Sequence, residues 1–258
     1  MELSPVRESD YPELAGIAAG GVRRDNVQAF LVNWDTGTAE EIGRSIAQYQ
    51  WGTRARFHVD DWTIEFTVRV GGRAVGVQGV SALGFTRTHS ITTGSWLALH
   101  EQGQGYGTRM RSAVVAAFAD HFDAEMFHSA HFEGNDSSRR VSEKLGYSPN
   151  GVKTILGADG QARVEHQLVL AAEDLDRGAD GCRIDVAGAE TVRRFLGLPP
   201  NGAALPSAWA PPTDISGPKT KHHPTHKKEE GAPSIRTEPL LHKFIAAATY
   251  SPTTTKLQ

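Results

Sequence analysis

The residues best suited to chemistry form a glycine-rich stretch, Gln102-Gly103-Gln104-Gly105-Tyr106-Gly107-Thr108. A turn of this composition at the start of a helix leaves backbone N–H groups unpaired, close to the positive end of the helix dipole. Glycine also tolerates positive φ and lets a ligand approach the backbone closely. The stretch therefore predicts a cradle for a phosphate or pyrophosphate group.

Three familiar phosphate-binding motifs do not fit this stretch. A Walker A loop requires Gly-Lys-Ser/Thr, and the stretch contains no lysine. A dinucleotide fingerprint would need glycine where Thr108 stands. A kinase glycine loop is followed by a strand, whereas Met110, Val114 and Phe118 recur at helical spacing. What remains is Gln-x-x-Gly-x-Gly between a strand and a helix.

That pattern resembles the acyl-CoA loop of the GNAT N-acyltransferases, with Gln102, Gly105 and Gly107 at the matching positions. A second block, residues 135–147 (NDSSRRVSEKLGY), is similar to the family's Asn…Ser…Glu-Lys-Leu-Gly-Tyr element. Both blocks agree with the family in order and spacing. Further matches between about Trp34 and Pro200 resemble its RimJ/RimL-like branch, which includes an actinobacterial (mycobacterial) protein succinyltransferase.

The resemblance implies an α/β (α+β) fold of the GNAT type, in which helices flank a mixed, mostly antiparallel central sheet. It also implies an enzyme that transfers an acyl group from acetyl-CoA or succinyl-CoA directly to a primary amine, either a protein lysine or an N-terminus. A small-molecule amine as acceptor, and a non-catalytic CoA-binding regulatory module, stay open as alternatives. Because many members of the family are dimers, a homodimer is expected by analogy.

The same resemblance assigns the residues that bind the acyl-CoA. In the family fold, the strand ending near Leu99 splays from the strand ending near Phe132, and the pantetheine arm lies in the gap. An extended amide chain can pair with strand backbone there as an added strand does. Asn135 is expected as a helix N-cap and equally as a contact of the arm. The full cofactor-binding set is Trp96, Leu97, Leu99, Gln102, Gly103, Gln104, Gly105, Tyr106, Gly107, Thr108, Asn135 and Ser138.

Acyl transfer to an amine needs hydrogen bonds to the developing oxyanion and a proton for the leaving thiolate. By resemblance, the oxyanion donor is a backbone N–H near Leu97. Many relatives carry a tyrosine beside the thiolate where this chain has Ser142, which can donate a hydrogen bond but is a weak formal acid. Tyr147 is a second candidate, although a core aromatic is the favoured interpretation.

Acyl transfer also needs a neutral amine, and hence a base. His131 is the first choice, since it stands at the end of the splayed strand and histidine titrates near neutrality. His128 is out of phase with it and should face the other side of the sheet. Glu65 or a water-relayed base would serve equally well. No metal site is predicted, because the tail histidines at 222, 223 and 226 lack a second shell.

Strands and helices must position these groups, and the sequence predicts most of these strands and helices. A helix should follow Asp10, a second should span Thr38–Tyr49, and Phe30–Trp34 between them is interpreted as a substrate-side wall. After the central helix, Gly146 should end a helix over Asn135–Leu145. The predicted strands are Trp62–Val70 and Ala74–Ser81 in a hairpin about Gly71-Gly72, then Ser95–Leu99, Glu125–Phe132, a hairpin of Val152–Leu156 and Arg163–Leu170, and Cys182–Val186 before a helix ending near Leu196.

Composition sets outer bounds on the function. A net charge of −3 and a pI near 6.4 give no electrostatic reason to expect nucleic acid or an anionic membrane as partner. Cys182 is the single cysteine, so no intrachain disulfide can form, which suits a reducing compartment. No apolar run approaches the ~18 residues of a membrane span. The expected location is the cytoplasm.

The chain is expected to hold one domain and a tail. Residues 1–200 contain 18 Arg and 2 Lys, whereas residues 201–258 contain 1 Arg and 6 Lys and are crowded with proline and threonine. Such a tail cannot build a core and is expected to be disordered. The predicted boundaries are a domain over 1–200, with a strand–helix appendage from about 180, and a tail over 201–258.

Overall fold

A computed structural model describes residues 1–24, 27–157, 159–177 and 184–201 of the chain. Its strands form one seven-stranded sheet in the order β1-β2-β3-β4-β5-β7-β6. Every neighbouring pair is antiparallel except β4 and β5, which are parallel. The mixed, mostly antiparallel sheet is therefore confirmed. The strands are β1 Glu2–Pro5, β2 Asp61–Val70, β3 Arg73–Leu83, β4 Ser90–Leu97, β5 Met126–Phe132, β6 Ser148–Leu156 and β7 Ala162–Ala171.

Helices cover both faces of this sheet. The helices are α1 Tyr11–Ala19, α2 Ala39–Ala55, the single turn α3 Phe85–Thr88, α4 Tyr106–Phe122, α5 Asp136–Lys144 and α6 Ala189–Phe195. Short 3₁₀ turns lie at Glu8–Asp10, Leu99–Glu101 and Ala172–Asp174. Apolar side chains of α4 and α5 share one core with strands β2 to β5 and β7, and those of α1 and α2 share another with β3. The sheet is thus the middle layer of three.

The first two helices differ in detail from the sequence expectation. Thr38 caps α2 with a reciprocal pair of hydrogen bonds to Glu41, as its position suggests. The helix runs beyond Tyr49 to Ala55 because Gln50 and Thr53 continue its buried face. Asp10 stands before α1 but does not cap it.

The Asp10 carboxylate is used across the fold instead. It accepts hydrogen bonds from the Arg7 backbone N–H at 2.9 Å, from Thr67 Oγ1 at 2.8 Å and from Arg69 Nη2 at 2.9 Å. These contacts outweigh its burial and lower the pKa of Asp10. The residue therefore ties the start of α1 to β2.

The segment Phe30–Trp34, predicted as a substrate-side wall, is a loop that packs inward. Phe30 and Leu31 are buried, and the Trp34 ring lies 5.3 Å from the Trp96 ring on β4. The loop thus closes the core under α1 and α2. A contact of this loop with substrate stays a prediction.

The strands β4 and β5 separate partway along their length. They pair at Ser90 with Met126, Ile91 with Phe127 and Thr92 with His128, and at no later position. The expected splay is confirmed. The expected end of β4 at Leu99 is wrong: β4 ends at Leu97, because the Leu99 N–H donates to the Gly21 carbonyl at 2.8 Å and turns the chain off the sheet.

The C-terminal part completes the sheet beyond β5. The β6–β7 hairpin is confirmed, and Gly146 follows α5 with φ +88°. Residues 184–186 carry no strand, which corrects the predicted strand Cys182–Val186 in its described part, while Cys182 lies outside the described residues. The helix before Leu196 is confirmed as α6. Except for Asn201, the predicted tail also lies outside the described residues.

Buried Arg193 fastens α6 to the end of α4. Its Nε donates to the Pro199 carbonyl and its Nη1 to the His121 carbonyl, each at 2.8 Å, while Nη2 donates to Asp123 Oδ2 at 2.7 Å. The appendage is therefore part of the folded body. Within the described residues, no helix is long and apolar enough to span a membrane.

Gly76 tests how closely β3 must approach the end of β4. A Cβ added there would overlap the Trp96 carbonyl and lie 2.8 Å from Leu97 Cα. We expect Gly76→Ala to lower the free energy of unfolding by about 1–3 kcal/mol, as overpacking does. In the matched variant Gly16→Ala, the new methyl meets nothing within 4 Å and lies inside α1, so stability should rise by up to about 1 kcal/mol. Urea unfolding measures the stability of both variants. Equal changes in the free energy of unfolding would contradict a close approach of β3 to β4 at Gly76.

Candidate active site

The glycine-rich stretch forms the predicted strand, turn and helix. After β4 and the 3₁₀ turn, Gly103 and Gly105 adopt φ +88° and +80°, and α4 begins at Tyr106 without a side-chain cap. A Cβ at Gly105 would meet nothing within 4 Å, so the space in front of the helix is open. Gly107 is buried within α4 and does not adopt a positive φ. The cradle thus depends on two left-handed glycines.

Gln102 braces this loop from behind. Its side chain is buried, and Nε2 donates to the Val22 carbonyl at 2.9 Å and to the Leu97 carbonyl at 3.1 Å. Beside it, Glu101 accepts from Arg73 Nη1 at 2.9 Å and from Gln104 Nε2 at 3.3 Å. The side chain of Gln102 therefore holds the loop against the end of β4. Contact of Gln102 with an acyl-CoA stays a prediction.

The residues at the end of β4 divide between the two faces of the sheet. Trp96 packs on the α1 and α2 side, and Leu97 is buried beside Met110 of α4. Their side chains belong to the core, as expected. The Leu99 N–H is bonded to Gly21 and its carbonyl accepts from the Gln102 N–H at 3.3 Å. Contacts of Trp96, Leu97 and Leu99 with a donor, and the oxyanion role of Leu97, stay predictions.

A cavity opens where β4 and β5 part. Its volume is about 410 Å³, and its walls include Thr92 and His128, the last residues that pair the two strands. Thr93 Oγ1 donates to the His128 carbonyl at 3.3 Å and closes the paired end. The lining is polar and combines acidic with basic side chains: Thr92, His128, Ser129, Ala130, Asn150, Lys153, Glu165 and Gln167. This space could admit a polar group.

Ser142 lies behind the gap in the interior of the protein. It is fully buried on α5, donates to the Ser138 carbonyl at 3.3 Å and accepts from Arg111 Nη1 at 2.7 Å. Sequence reasoning missed Arg111. The available signal was an arginine at helical spacing with Gly107 and Val114, on the face of α4 that is otherwise buried. Ser142 as the proton source for a thiolate stays a prediction.

The block that opens α5 behaves as its sequence suggests. Asn135 is the N-cap, and its Oδ1 accepts from the Ser138 N–H at 3.3 Å. Ser138 is buried. Tyr147 is buried in the core on the α4 side, and burial raises its pKa, which agrees with its interpretation as a core aromatic. Donor contacts of Asn135 and Ser138 stay predictions.

The two candidate histidines of β5 face opposite sides, as their spacing predicts. His131 stacks on His166 at 5.0 Å, and its Nδ1 lies 3.1 Å from the Phe132 carbonyl oxygen. Burial chiefly lowers the pKa of His131. His128 lines the cavity, where burial and then the charge of Lys153 lower its pKa. Both rings are therefore neutral at pH 7. His131 as a base stays a prediction.

Glu65 has the environment of a base on the opposite side of the sheet. It pairs with Gly79, which pairs with Gly94 on β4, and antiparallel partners share a face. The positions between Glu65 and the gap thus carry no side chain. The carboxyl is buried and accepts from the Tyr49 hydroxyl at 3.3 Å. Burial raises the pKa of Glu65 to about 8, despite the opposing Tyr49 hydrogen bond.

Within the described ranges, no group of three or more His, Cys, Asp or Glu side chains is arranged to hold a metal ion. The residues of the site offer an open glycine turn before α4, a gap in the sheet, a buried carboxyl and a buried guanidinium.

Comparison with known proteins agrees with this arrangement. Residues 1–148 match the family described as Acetyltransferase (GNAT) domain. Mycobacterium smegmatis RimJ in complex with CoA-disulfide is similar at 19% identity over 69% of this chain and 84% of that one, with a TM-score of 0.56.

Two further solved structures share the fold. RimL, a ribosomal L7/L12 alpha-N-protein acetyltransferase in complex with coenzyme A, is 18% identical over 66% of this chain and 92% of its own, with a TM-score of 0.51. The spermidine N-acetyltransferase of Vibrio cholerae, in complex with CoA and spermine, is 10% identical over 67% and 96%, with a TM-score of 0.53. Likeness at these identities concerns the fold alone.

The raised pKa of Glu65 makes a prediction about stability. The folded state holds this proton up to pH of about 8, whereas an ordinary glutamate releases it near 4.5. Stability from this group is therefore complete below pH 4.5 and is lost as the pH rises toward 8, at roughly 1.4 kcal/mol per unit of pKa difference. Glu65→Gln removes the titration and can keep the Tyr49 contact. Urea unfolding at several pH values should show that, above pH 5, the free energy of unfolding of the variant increases relative to that of the wild type. A difference in free energy that does not change with pH would contradict the raised pKa.

Proposed function

The chain belongs to the acetyltransferase (GNAT) family, and on this basis we propose that it transfers an acetyl or succinyl group from acyl-CoA to a primary amine, a protein lysine or an N-terminus. One observation carries the proposal: an open glycine turn at the start of α4 follows the strand that separates from β5. A ligand with a pyrophosphate and an extended amide arm fits such a pair of features.

The donor is assigned to these two features together. The pyrophosphate occupies the space before α4, where Gly103 and Gly105 bring backbone N–H groups forward. The pantetheine arm runs along β4 into the gap beside Trp96 and Leu97. Lys153 on the cavity wall is the cation that would meet the carboxylate of a succinyl group, and an acetyl group would leave it unused.

The reaction then needs no covalent enzyme intermediate. The neutral amine nitrogen attacks the thioester carbonyl, and the Leu97 N–H stabilises the oxyanion. As the C–N bond forms, the amine proton passes to Glu65 directly or through water. The C–S bond breaks, and the thiolate accepts a hydrogen bond from Ser142. Glu65 is preferred to His131 as base for two reasons. Its pKa of about 8 is high enough to accept a proton from an amine, and Gly79 and Gly94, which lie between Glu65 and the gap, carry no side chains.

The acceptor is proposed from the relatives and from the cavity. The named substrate of the RimL relative is a ribosomal protein N-terminus, which supports a protein acceptor. A small-molecule amine is the second candidate. It is favoured by the polar cavity of about 410 Å³, with buried Glu165 in its wall, and by the spermidine enzyme among the similar structures. Release of free CoA with either class of amine would exclude a regulatory module that only binds CoA.

The cradle is tested with two glycines that share a conformation. Gly105→Ala strains a residue at φ +80° in the proposed phosphate site, and Gly71→Ala strains one at φ +57° in the β2–β3 turn, with open space at both. Isothermal titration with acetyl-CoA, succinyl-CoA and CoA should show about tenfold weaker binding for Gly105→Ala, consistent with ~1–2 kcal/mol of strain. Gly71→Ala should bind as the wild type does. No binding of any of the three by folded wild type would overturn the donor assignment.

The base is tested by turnover against pH. With Glu65 as base, kcat/KM calculated for the neutral form of the amine should rise with pH and level off above about 8, where the carboxyl is ionised. Glu65→Gln should lower kcat by roughly 10²–10⁴-fold and abolish the rising limb, with donor affinity unchanged. His131→Gln is the comparison. If that variant loses the limb and Glu65→Gln keeps it, the base is His131.

A further inference from the structure

A cation is buried behind the proposed acyl-transfer site, and no acidic side chain in the described part of the chain forms an ion pair with it. Arg111 is fully buried on α4, and its two hydrogen-bond acceptors are the hydroxyls of Ser142 at 2.7 Å and Ser129 at 3.3 Å, both from Nη1. Its Nε and Nη2 have no hydrogen-bond partner among the described residues. Burial lowers the pKa of Arg111 only to about 10, so it stays charged at neutral pH.

An unpaired buried charge is costly, since desolvation is not repaid by a counterion. A hydrocarbon side chain at position 111 would avoid that cost and still fill the interior. The arrangement is therefore unfavourable for folding alone. It becomes favourable if a negative charge forms nearby at some stage of the protein's work.

The position of Arg111 shows where such a charge would form. Ser129 is one of the residues that line the cavity where β4 and β5 part, and its hydroxyl accepts from the guanidinium on the α4 face of β5. Ser142 extends from α5 toward the same guanidinium. The charge therefore lies behind the gap in the sheet, on the α4 side and opposite the face that carries Glu65.

We propose that Arg111 is a positioning residue that stabilises the CoA thiolate as it leaves, acting through the Ser142 hydroxyl. This inference rests on the proposed function. An oxygen that accepts a hydrogen bond from a cation becomes a better donor through its own hydrogen, because the two bonds polarise each other. Arg111 thus supplies the acidity that serine lacks and the tyrosine of many relatives has.

The step balances without any further reactant. The C–N bond forms, the C–S bond breaks, and its electron pair goes to sulfur. The Ser142 hydrogen turns from the Ser138 carbonyl toward the sulfur, and Arg111 remains bonded to the Ser142 oxygen. The amine proton has passed to Glu65, and the thiolate departs unprotonated or takes a proton from solvent.

The other titratable groups near Arg111 do not cancel its charge. Tyr147 follows α5 and interacts with the guanidinium, and burial raises the pKa of its phenol. His131 shares the face of β5 with Ser129, and burial lowers its pKa. Both are neutral between pH 7 and 9. From α5, the nearby groups are the uncharged hydroxyls of Ser138 and Ser142.

The decisive measurement is the pKa of the thiol of bound CoA. It is obtained from the ultraviolet absorbance of the thiolate during a pH titration of the full chain saturated with CoA. In the wild type this pKa should lie about one to three units below that of free CoA. Arg111→Met should return it to the free value, while Arg111→Lys should retain part of the shift. Ser142→Ala should lose most of it. With acyl donor and amine, Arg111→Met should lower kcat at least tenfold and leave KM for the donor within twofold.

Arg193→Met is the matched control, since Arg193 is also buried and bonded to carbonyl oxygens but lies at the far end of α4. It should lower stability and leave the thiol pKa unchanged. If Arg111→Met binds CoA and keeps the shifted thiol pKa, the inference is overturned while the proposed function stands. If the folded wild type neither binds CoA nor turns over a donor, both fail. Should Arg111→Met not fold, Ser142→Ala decides the question. If the thiol of bound CoA has the same pKa in Ser142→Ala as in the wild type, the inference is overturned.

Discussion

The end of pairing between β4 and β5 is the constraint on which the rest of the structure depends. Backbone N–H and C=O groups in a protein interior require partners, and two parallel strands that part leave some of theirs facing each other across a gap. Thr92 and His128 mark the last pair. A ligand that carries amide groups can form the hydrogen bonds that the two strands do not form with each other beyond this pair. The cradle before α4 follows from the same geometry, because the helix must begin where β4 leaves the sheet.

The two sides of the sheet hold buried ionisable groups of opposite chemical character, one acidic and one basic. Glu65 lies on the α1 and α2 side, where burial raises its pKa to about 8, and Arg111 lies on the α4 side, where burial lowers its pKa to about 10. Both shifts have the same cause, the loss of water around an ionised group. In the proposed reaction, one side accepts a proton from the acceptor amine and the other stabilises negative charge on the donor. The sheet lies between the two groups, and the gap between β4 and β5 is where the donor and the amine would meet both of them.

The family match ends at residue 148, yet the folded body continues to the last described residues. β7 pairs with every residue of β5, on the edge of β5 opposite the gap. Arg193 then ties α6 to the end of α4, and Phe195 stacks on Phe57 at 4.3 Å. These contacts stabilise the helix that carries both the cradle and Arg111. The segment beyond the family match is thus part of the support of the site.

The sequence alone determined the features that depend on a few neighbouring residues. The glycine turn before α4, the hairpin about Gly71-Gly72 and the Asn135 cap follow from local backbone chemistry, which acts within one turn or one hairpin. Strand periodicity also placed His128 and His131 on opposite faces. The resemblance to the family added the splay and the mixed sheet.

Only the tertiary structure decided which groups lose their water and which partners they meet. The Tyr49–Glu65 contact joins residues 16 positions apart, and the Arg111–Ser142 contact joins residues 31 apart. Leu99 leaves the sheet because of a carbonyl at Gly21, which no local pattern reveals. A pKa depends on burial and on nearby charges, and both arise only when the layers pack. The sequence could therefore list Glu65 and His131 as bases, while their different surroundings come from the fold.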